Sequence, residues 1–227
     1  KRKNSVFYRT DALMLIKIDP RSHQSWMVSI PRDIPCAVQN EGQLKLSECY
    51  TWGQEIEVVT QVQNLMHQKI NHVIVLNFIG CKKMVNAMGG VEVDVPQAIY
   101  DKKADYTKDK HASIIRPGKQ VLDGAHALTF VRSRNYQDGD FSRIKNQQLF
   151  FKALAKKAST MSMSELMDLL SVTSKNIDTD MTLKGLFQMA FQLKQSEESG
   201  ISVASLKGTW KAPYVILDEK VKENVIT

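Results

Sequence analysis

The chain has 227 residues, 43% hydrophobic and 24% charged, enough apolar matter for a buried core and a composition that excludes a disordered or membrane-embedded chain. Its net charge of +7 favours an anionic partner: nucleic acid, an anionic membrane surface, or a phosphorylated or polyanionic substrate. No apolar run approaches the roughly 20 residues that span a bilayer, and the opening KRKNSVFYRTD has no signal-peptide core, so the chain is expected either to be cytosolic or to have lost an anchor before Lys1.

In chain order, ALMLIKID and SWMVSI are apolar runs rich in branched residues, joined by the turn-like PRSHQ; they read as neighbouring strands, the second ending at Pro31. EIEVVTQVQNLMHQKI sets Ile56, Val59, Val62, Leu65, Met66 and Ile70 at helical spacing, and HVIVLNFI follows as an apolar strand. CKKMVNAMGG predicts a helix stopping at Gly89 and Gly90, and VEVDVP an alternating strand ending at Pro96. From Gln97 to Gly118 the polar stretch around DKKADYTKDKHAS reads as a long surface loop. VLDGAHAL predicts a short helix capped by Asp123, feeding a strand TFVRSR. A helix then runs through DFSRIKNQQLFFKALAKKA with Phe141, Ile144, Gln148, Phe151, Ala155 and Ala158 on one face.

Two more helices are expected from Ser164 and from Thr182 by N-cap logic, and ISVASL and PYVILD read as strands that close a sheet edge. The methionines from Met161 to Met189 read as fillers of core gaps. The alternation of strands and helices predicts an α/β fold, a single domain over residues 1–227 with a mixed central sheet and helices on both faces.

Three cysteines, Cys36, Cys49 and Cys81, and five histidines show no metal-ligand spacing, so a structural zinc site is not expected. A Cys36 to Cys49 disulfide would suit an oxidising compartment, although an odd cysteine count argues against a complete framework.

VRSRNYQDGDFSRIKNQQLF crowds Arg132, Arg134 and Arg143 around an Asp-Gly turn. On a strand, Arg132 and Arg134 would share one face. Arg143 falls in the first turn of a helix, where the macrodipole disfavours a cation. Guanidiniums beside a helix N-terminus match phosphoryl oxygens bidentately; alternatively, Asp138 and Asp140 neutralise them in a surface ion-pair network. Arg32 and Asp33 follow an apolar strand, where ligands of open α/β sheets collect, and tip the balance toward an anion site. Arg9 and Asp11 precede the first strand. An acid there is ordinarily a solvated end, and acquires a role if Mg²⁺ must be held with substrate phosphates.

YRTDALMLIKID, VSIPRD, INHVIVLNFIGCKKMVNAMGGVEVDVP and LDGAHALTFVRSRNYQDGDFSRIKNQQLF resemble, in order and spacing, the signature blocks of the LytR-CpsA-Psr family. That resemblance implies a membrane-anchored, extracytoplasmic phosphotransferase of mostly Gram-positive bacteria. Such enzymes move teichoic acid, capsule or another wall polymer from a polyprenyl-pyrophosphate carrier to peptidoglycan, here with pyrophosphatase side activity. By the same resemblance Arg32, Arg132, Arg134 and Arg143 correspond to pyrophosphate-binding arginines, Asp140 to the acid that orients them and Gln147 to a polar partner one turn from Arg143. Asp11 corresponds to one of two Mg²⁺-binding aspartates, and Arg9 and Lys45 join the substrate-binding set. The second aspartate of the pattern would fall before Lys1, together with the first strand and the anchor that brings the domain to the membrane surface. Lys145-Asn146 and Asn77 depart from the pattern, which often has a further arginine and an acid there.

The chemistry implied is attack of a sugar hydroxyl on phosphorus, with arginines and metal taking up developing charge and Asp11 or Asp33 as the base. Apolar helix faces would take the polyprenyl tail. A non-catalytic lipid- or polymer-binding module would use the same arginines as a clamp. A nucleic-acid binder would explain the charge, yet no helix-turn-helix, RNA-binding aromatic pair or zinc finger is recognisable, and nucleic acid is not expected as a partner.

Overall fold

The computed structural model describes residues 9–101, 114–134, 136, 140–199 and 201–218, with backbone alone at 140–141 and 197–199. Helices and strands mix along the chain as expected for the α/β class. Strands β1 (Leu13–Asp19) and β2 (Gln24–Ile30) lie in a three-stranded sheet of order β1-β2-β11 with β11 (Ile201–Ser205). The neighbouring-strand expectation holds, because Asp19 closes the turn: its carboxylate accepts from the Arg21 amide at 2.9 Å and the Ser22 hydroxyl at 2.8 Å. ISVASL is the third strand, as expected.

The chain divides into two compact units. The first comprises Lys1–Ile16, Met27–Val73 and Ala204–Thr227. Its hairpin β3 (Pro35–Val38) and β4 (Gly42–Lys45) pairs Cys36 with Leu44 and Pro35 with Lys45. Helix α1 (Leu46–Met66) follows at once. It starts nine residues before the expected Glu55 because Glu48 reaches back to the Lys45 amide at 3.1 Å and caps an earlier turn. Gly53 and Gln54 leave helical geometry and kink it, and His67 ends it in the left-handed conformation, before Ile70.

The buried stripe of α1 is Val58, Val62 and Met66, packed with Val28, Ile30, Ile34 and Leu206. Ile56, expected on that face, is 72% exposed. The hairpin of β12 (Gly208–Lys211) and β13 (Tyr214–Leu217) completes the unit; the expected strand PYVILD is β13, while β12 escaped the periodicity reading.

The second unit comprises Lys17–Trp26 and Ile74–Val203. The apolar run HVIVLNFI yields only the short strand β5 (Ile74–Leu76). Asn77 then accepts from the Gly80 amide at 2.8 Å and opens α2 (Phe78–Ala87). Strand β6 (Val91–Val95) alternates buried and exposed as expected and pairs antiparallel with β9 (Gly118–Leu122). Two short strands, β7 (Ile99–Tyr100) and β8 (Ile114–Ile115), pair inside the stretch expected to be loop; residues 102–113 lie outside the described residues.

The expected strand TFVRSR is a correction: Gly124–Arg132 is one helix, α3. Asp123 caps it as expected, and the helix runs on through Thr129 and Val131 because burial of Ala127, Leu128 and Phe130 overrides their strand preference. Arg132 and Arg134 therefore do not share a strand face. In α4 (Asp140–Thr160) the buried stripe is Arg143, Asn146, Gln147 and Phe150, rotated from the expected apolar face; Phe141, placed on that face, has its side chain outside the described residues.

Helix α5 (Met163–Thr173) begins one residue before the expected Ser164, with Ser162 and Glu165 forming a capping box. Strand β10 (Ile177–Thr179) pairs with β5, and α6 (Leu183–Ser199) starts after Thr182 as expected, with the Thr182 hydroxyl accepting from the Gly185 amide. Met161 is buried in a cluster with Leu166 and Leu169, but Met163 and Met167 are exposed rather than filling gaps. Val85, Val91, Val93, Leu122, Phe130 and Phe150 form the main core of this unit, each contributing on the order of 1.5–3 kcal/mol by burial.

Candidate functional site

In the first unit the sequence-predicted residues Arg9, Asp11, Arg32, Asp33 and Lys45 form a charged chain around the start of α1. Arg9 contacts Glu48 at 2.7 Å. Arg32 reaches Asp11 at 3.4 Å and its neighbour Asp33 at 3.9 Å, and Lys45 contacts the other Asp33 oxygen at 3.0 Å.

Backbone bonds set these side chains in place. Thr10 donates to Ser47 O, Ser47 to Arg32 O and Leu46 to Ile34 O, tying the segment before β1 and the segment after β2 to the first turn of α1. The Val215 amide donates to Asp33 O, so β13 holds the same residue from its backbone. The Lys45 ammonium lies 5.6 Å from the centre of the Trp210 ring, a cation–π contact that leaves the ring half exposed. The Asp33 side chain is 12% accessible and that of Asp11 31%, so Asp11 is the carboxylate better able to reach a ligand.

In the second unit the arginines follow from how α2, α3 and α4 pack. At the start of α3, Asp123 accepts from the amides of Ala125 and His126 and from His126 Nδ1 at 2.8 Å. Burial opposes its ionisation, but the bonds from His126 and Ala125 outweigh this and hold its pKa below the usual value. The Gly124 amide donates to Asn86 Oδ1 at 2.7 Å, and a Cβ on Gly124 would stand 2.2 Å from Lys82 O, so only glycine permits this contact between α2 and α3.

At its other end, α3 delivers Arg132 with its guanidinium 3.8 Å from the centre of the Phe78 ring, the first residue of α2. Ser133, fully buried, donates to the Asp101 carboxylate at 2.8 Å and fixes the link to the exposed Arg134. The last four carbonyls of a helix lack partners within it; here Asn146 donates to Phe130 O at 3.4 Å and Gln147 to Val131 O at 3.1 Å. Asn146 also bonds the Tyr136 hydroxyl. The polar stripe of α4 thus caps the end of α3, and Arg143, only 2% exposed, sits one turn earlier on the same stripe. The side chain of Asp140, expected to orient the arginines, and Asp138 lie outside the described residues.

Sequence reasoning missed Glu48, Trp210, Phe78, Ser133, Asp101 and the capping amide of Asn146. Of these only Glu48 carried a local signal, its position three residues after Lys45.

The LytR_cpsA_psr family model matches residues 1–226. The chain belongs to that family. A curated member, the polyisoprenyl-teichoic acid–peptidoglycan teichoic acid transferase TagU of Bacillus cereus, is 32% identical over 228 residues, covering 96% of this chain and 71% of TagU. The crystal structure of Bacillus subtilis TagV superposes with a TM-score of 0.82 at 25% identity, covering 96% of this chain and 87% of TagV. A LytR-Csp2A-Psr enzyme from Actinomyces oris, at 17% identity, shares the fold with a TM-score of 0.77 over 94% of this chain and 83% of its own. The α/β class expected from the strand and helix rhythm is therefore that of the LytR_cpsA_psr fold.

Proposed function

We propose that this family member is a phosphotransferase that moves an anionic cell-wall glycopolymer from a polyprenyl-pyrophosphate carrier to peptidoglycan. The observation that carries the reading is Arg132, held against Phe78 at the end of α3 and followed by Arg134. These residues lie in the block most specific to the family, and the curated relatives are named teichoic acid transferases. Teichoic acid is accordingly the first polymer to test. The compartment we assign is the extracytoplasmic face of the membrane, reached through an N-terminal anchor as the resemblance implies; among the described residues no helix is long and apolar enough to cross a membrane.

Transfer requires attack by a sugar hydroxyl on the phosphorus nearest the glycan, with polyprenyl phosphate leaving. Negative charge grows on the non-bridging and leaving oxygens, and oriented guanidiniums stabilise it without reorganising. Arg132 suits this task because its ring contact and the amide-capped helix end restrict its motion. Arg32 is given direction by Asp11 and Asp33, and Lys45 adds a positive charge beside Asp33. Asp33, being the more enclosed carboxylate, acts as the base or holds Lys45, and Asp11 is left for a metal.

Mg²⁺ is commonly held by one or two carboxylates plus substrate phosphates. Among the described residues no group of three His, Cys, Asp or Glu side chains could hold a metal alone; the accessible Asp11 fits an ion that shares its coordination with the pyrophosphate. When bound, the ion would neutralise developing phosphoryl charge.

The test is incubation of the protein with a polyprenyl-pyrophosphate-linked polymer precursor and peptidoglycan, with and without Mg²⁺. Covalent polymer on peptidoglycan, dependent on Mg²⁺ and lost in Arg132→Ala, is expected. Tight lipid binding without transfer would replace this reading with a binding module, and salt-sensitive duplex DNA binding with no lipid affinity would sink both.

A further inference from the structure

Cys36 and Cys49 belong to none of the charged chemistry above. Cys36 lies on β3, four residues after Arg32, and Cys49 in the first turn of α1, four residues after Lys45. Both are in the core of the first unit, 9% and 0% exposed. Their thiols donate to the carbonyls of adjacent residues, Cys36 to Leu44 O and Cys49 to Lys45 O, each at 3.6 Å. Cys36 faces Leu44 directly in the hairpin register, and the Leu46 amide bonds Ile34 O at 2.8 Å, so hairpin and helix start are held together from both sides of the pair. The two thiols are close enough for each to shift the pKa of the other. Cys81 is buried in the core of the second unit, where desolvation pushes its pKa up to about 11.

We propose that Cys36 and Cys49 are a disulfide site, joined in an oxidising compartment so that β3 is stapled to the first turn of α1. The proposal takes its compartment from the extracytoplasmic reading above; its geometry is independent of it. Both thiols rest on consecutive carbonyls of one short segment, Leu44 and Lys45, inside one core cluster, and this placement brings them within reach of each other. The Cys49 thiol nearby favours a thiolate on Cys36 and lowers its pKa, whereas the Cys36 thiol and burial raise that of Cys49, which makes Cys36 the first nucleophile.

The oxidant is a disulfide, either of a thiol oxidoreductase or of a small molecule such as oxidised glutathione. The Cys36 thiolate attacks one oxidant sulfur and expels the other as a thiol, giving a mixed disulfide. The Cys49 thiolate then attacks Cys36 sulfur and releases the second oxidant thiol. Two electrons pass from the protein to the oxidant, and the two thiol protons end on its products. Because both sulfurs are buried in the finished fold, the exchange takes place while the chain folds.

The link closes a loop of roughly 14 residues, a size for which restriction of the unfolded chain is substantial. It would hold the Asp33 and Lys45 segments at fixed separation without touching either charge.

To test this, the protein is refolded in a glutathione redox buffer and in excess reductant, alkylated under denaturing conditions and digested for peptide mapping by mass spectrometry. We expect one alkylated cysteine, Cys81, and one linked peptide pair carrying Cys36 and Cys49, with a Tm about 5–10 °C above the reduced protein. Cys36→Ala and Cys49→Ala should each remove the linked peptides and the Tm difference; should either fail to fold, the oxidised and reduced wild-type forms decide alone. Three alkylated cysteines after oxidative refolding, or a link to Cys81, would overturn the proposal. A protein that forms the link but transfers no polymer would count against the transferase reading alone, and one that transfers polymer while keeping three thiols would count against the disulfide alone.

Discussion

The two units hold their cations by different means. In the first, Arg9, Arg32 and Lys45 each rest on a carboxylate, in contacts of 2.7–3.4 Å whose partners are partly accessible. In the second, Arg132 lies on an aromatic ring at the end of a helix whose last carbonyls are capped by buried amides, and Arg143 is buried in the first turn of the next helix. Partly solvated ion pairs are weak, screened by salt and able to exchange partners. A side chain positioned by packed helices keeps its direction whatever the solvent. The first arrangement suits charges that rearrange when an anion or metal arrives, and the second suits a charge that must already be aimed when the transition state forms.

The sharpest way to break this contrast is at Arg132. Arg132→Ala should lower polymer transfer by about 10²- to 10³-fold while Tm falls by no more than about 4 °C, because what packing is lost is chiefly one cation–π contact with Phe78. A large fall in Tm would show that the arginine is a structural ion-pair member. Arg132→Lys keeps charge but loses the planar fork, and an intermediate loss is expected.

Next in size is the helix contact that aims the arginine. Gly124→Ala forces a methyl into Lys82 O and should cost about 2–3 kcal/mol, read as a lower urea midpoint. Gln147→Leu leaves Val131 O buried without its amide and should cost about 1–3 kcal/mol. If Gln147 instead contacts substrate, transfer would fall with stability unchanged.

Asp123→Ala removes the α3 cap and should cost about 1 kcal/mol. Because the folded-state pKa of Asp123 is depressed, the ionised cap contributes above the unfolded pKa and fades as pH falls through the folded one. The stability gap between wild type and Asp123→Ala should therefore narrow in acid. The smallest effect belongs to the first unit: Arg9→Ala breaks an exposed pair and should cost less than about 0.5 kcal/mol, a difference that high salt erases.

The strand at Val91–Val95, the Asp123 and Thr182 caps and the pairing of the first two strands were legible because each is written in neighbouring residues: alternation, a side chain that bonds its own backbone, a turn residue between apolar runs. Gly124–Arg132 was misread because Thr129, Phe130 and Val131 are strand formers by composition, while what decides is burial of Ala127 and Phe130 in a core built with residues far along the chain. The face of α4 was misplaced for a related reason. Its buried stripe is polar, chosen by the carbonyls of α3 that need donors, and no hydrophobic pattern reports such a need.

By itself, the sequence determined the family, through blocks whose order and spacing survive without coordinates, and it singled out Arg32, Arg132, Arg134 and Arg143 because guanidiniums crowded near strand ends and a helix start make a receptor for phosphate. Only the tertiary structure decided that Arg132 ends a helix rather than lining a strand, that Phe78 packs on it while Asp101 holds the next residue, Ser133, that Glu48 holds Arg9, and that Cys36 and Cys49 share one core cluster. Local rules extend over about one helical turn or one strand alternation, whereas each of these partners is brought in by packing between separate segments, a free energy shared by the whole core and written in no short stretch of it.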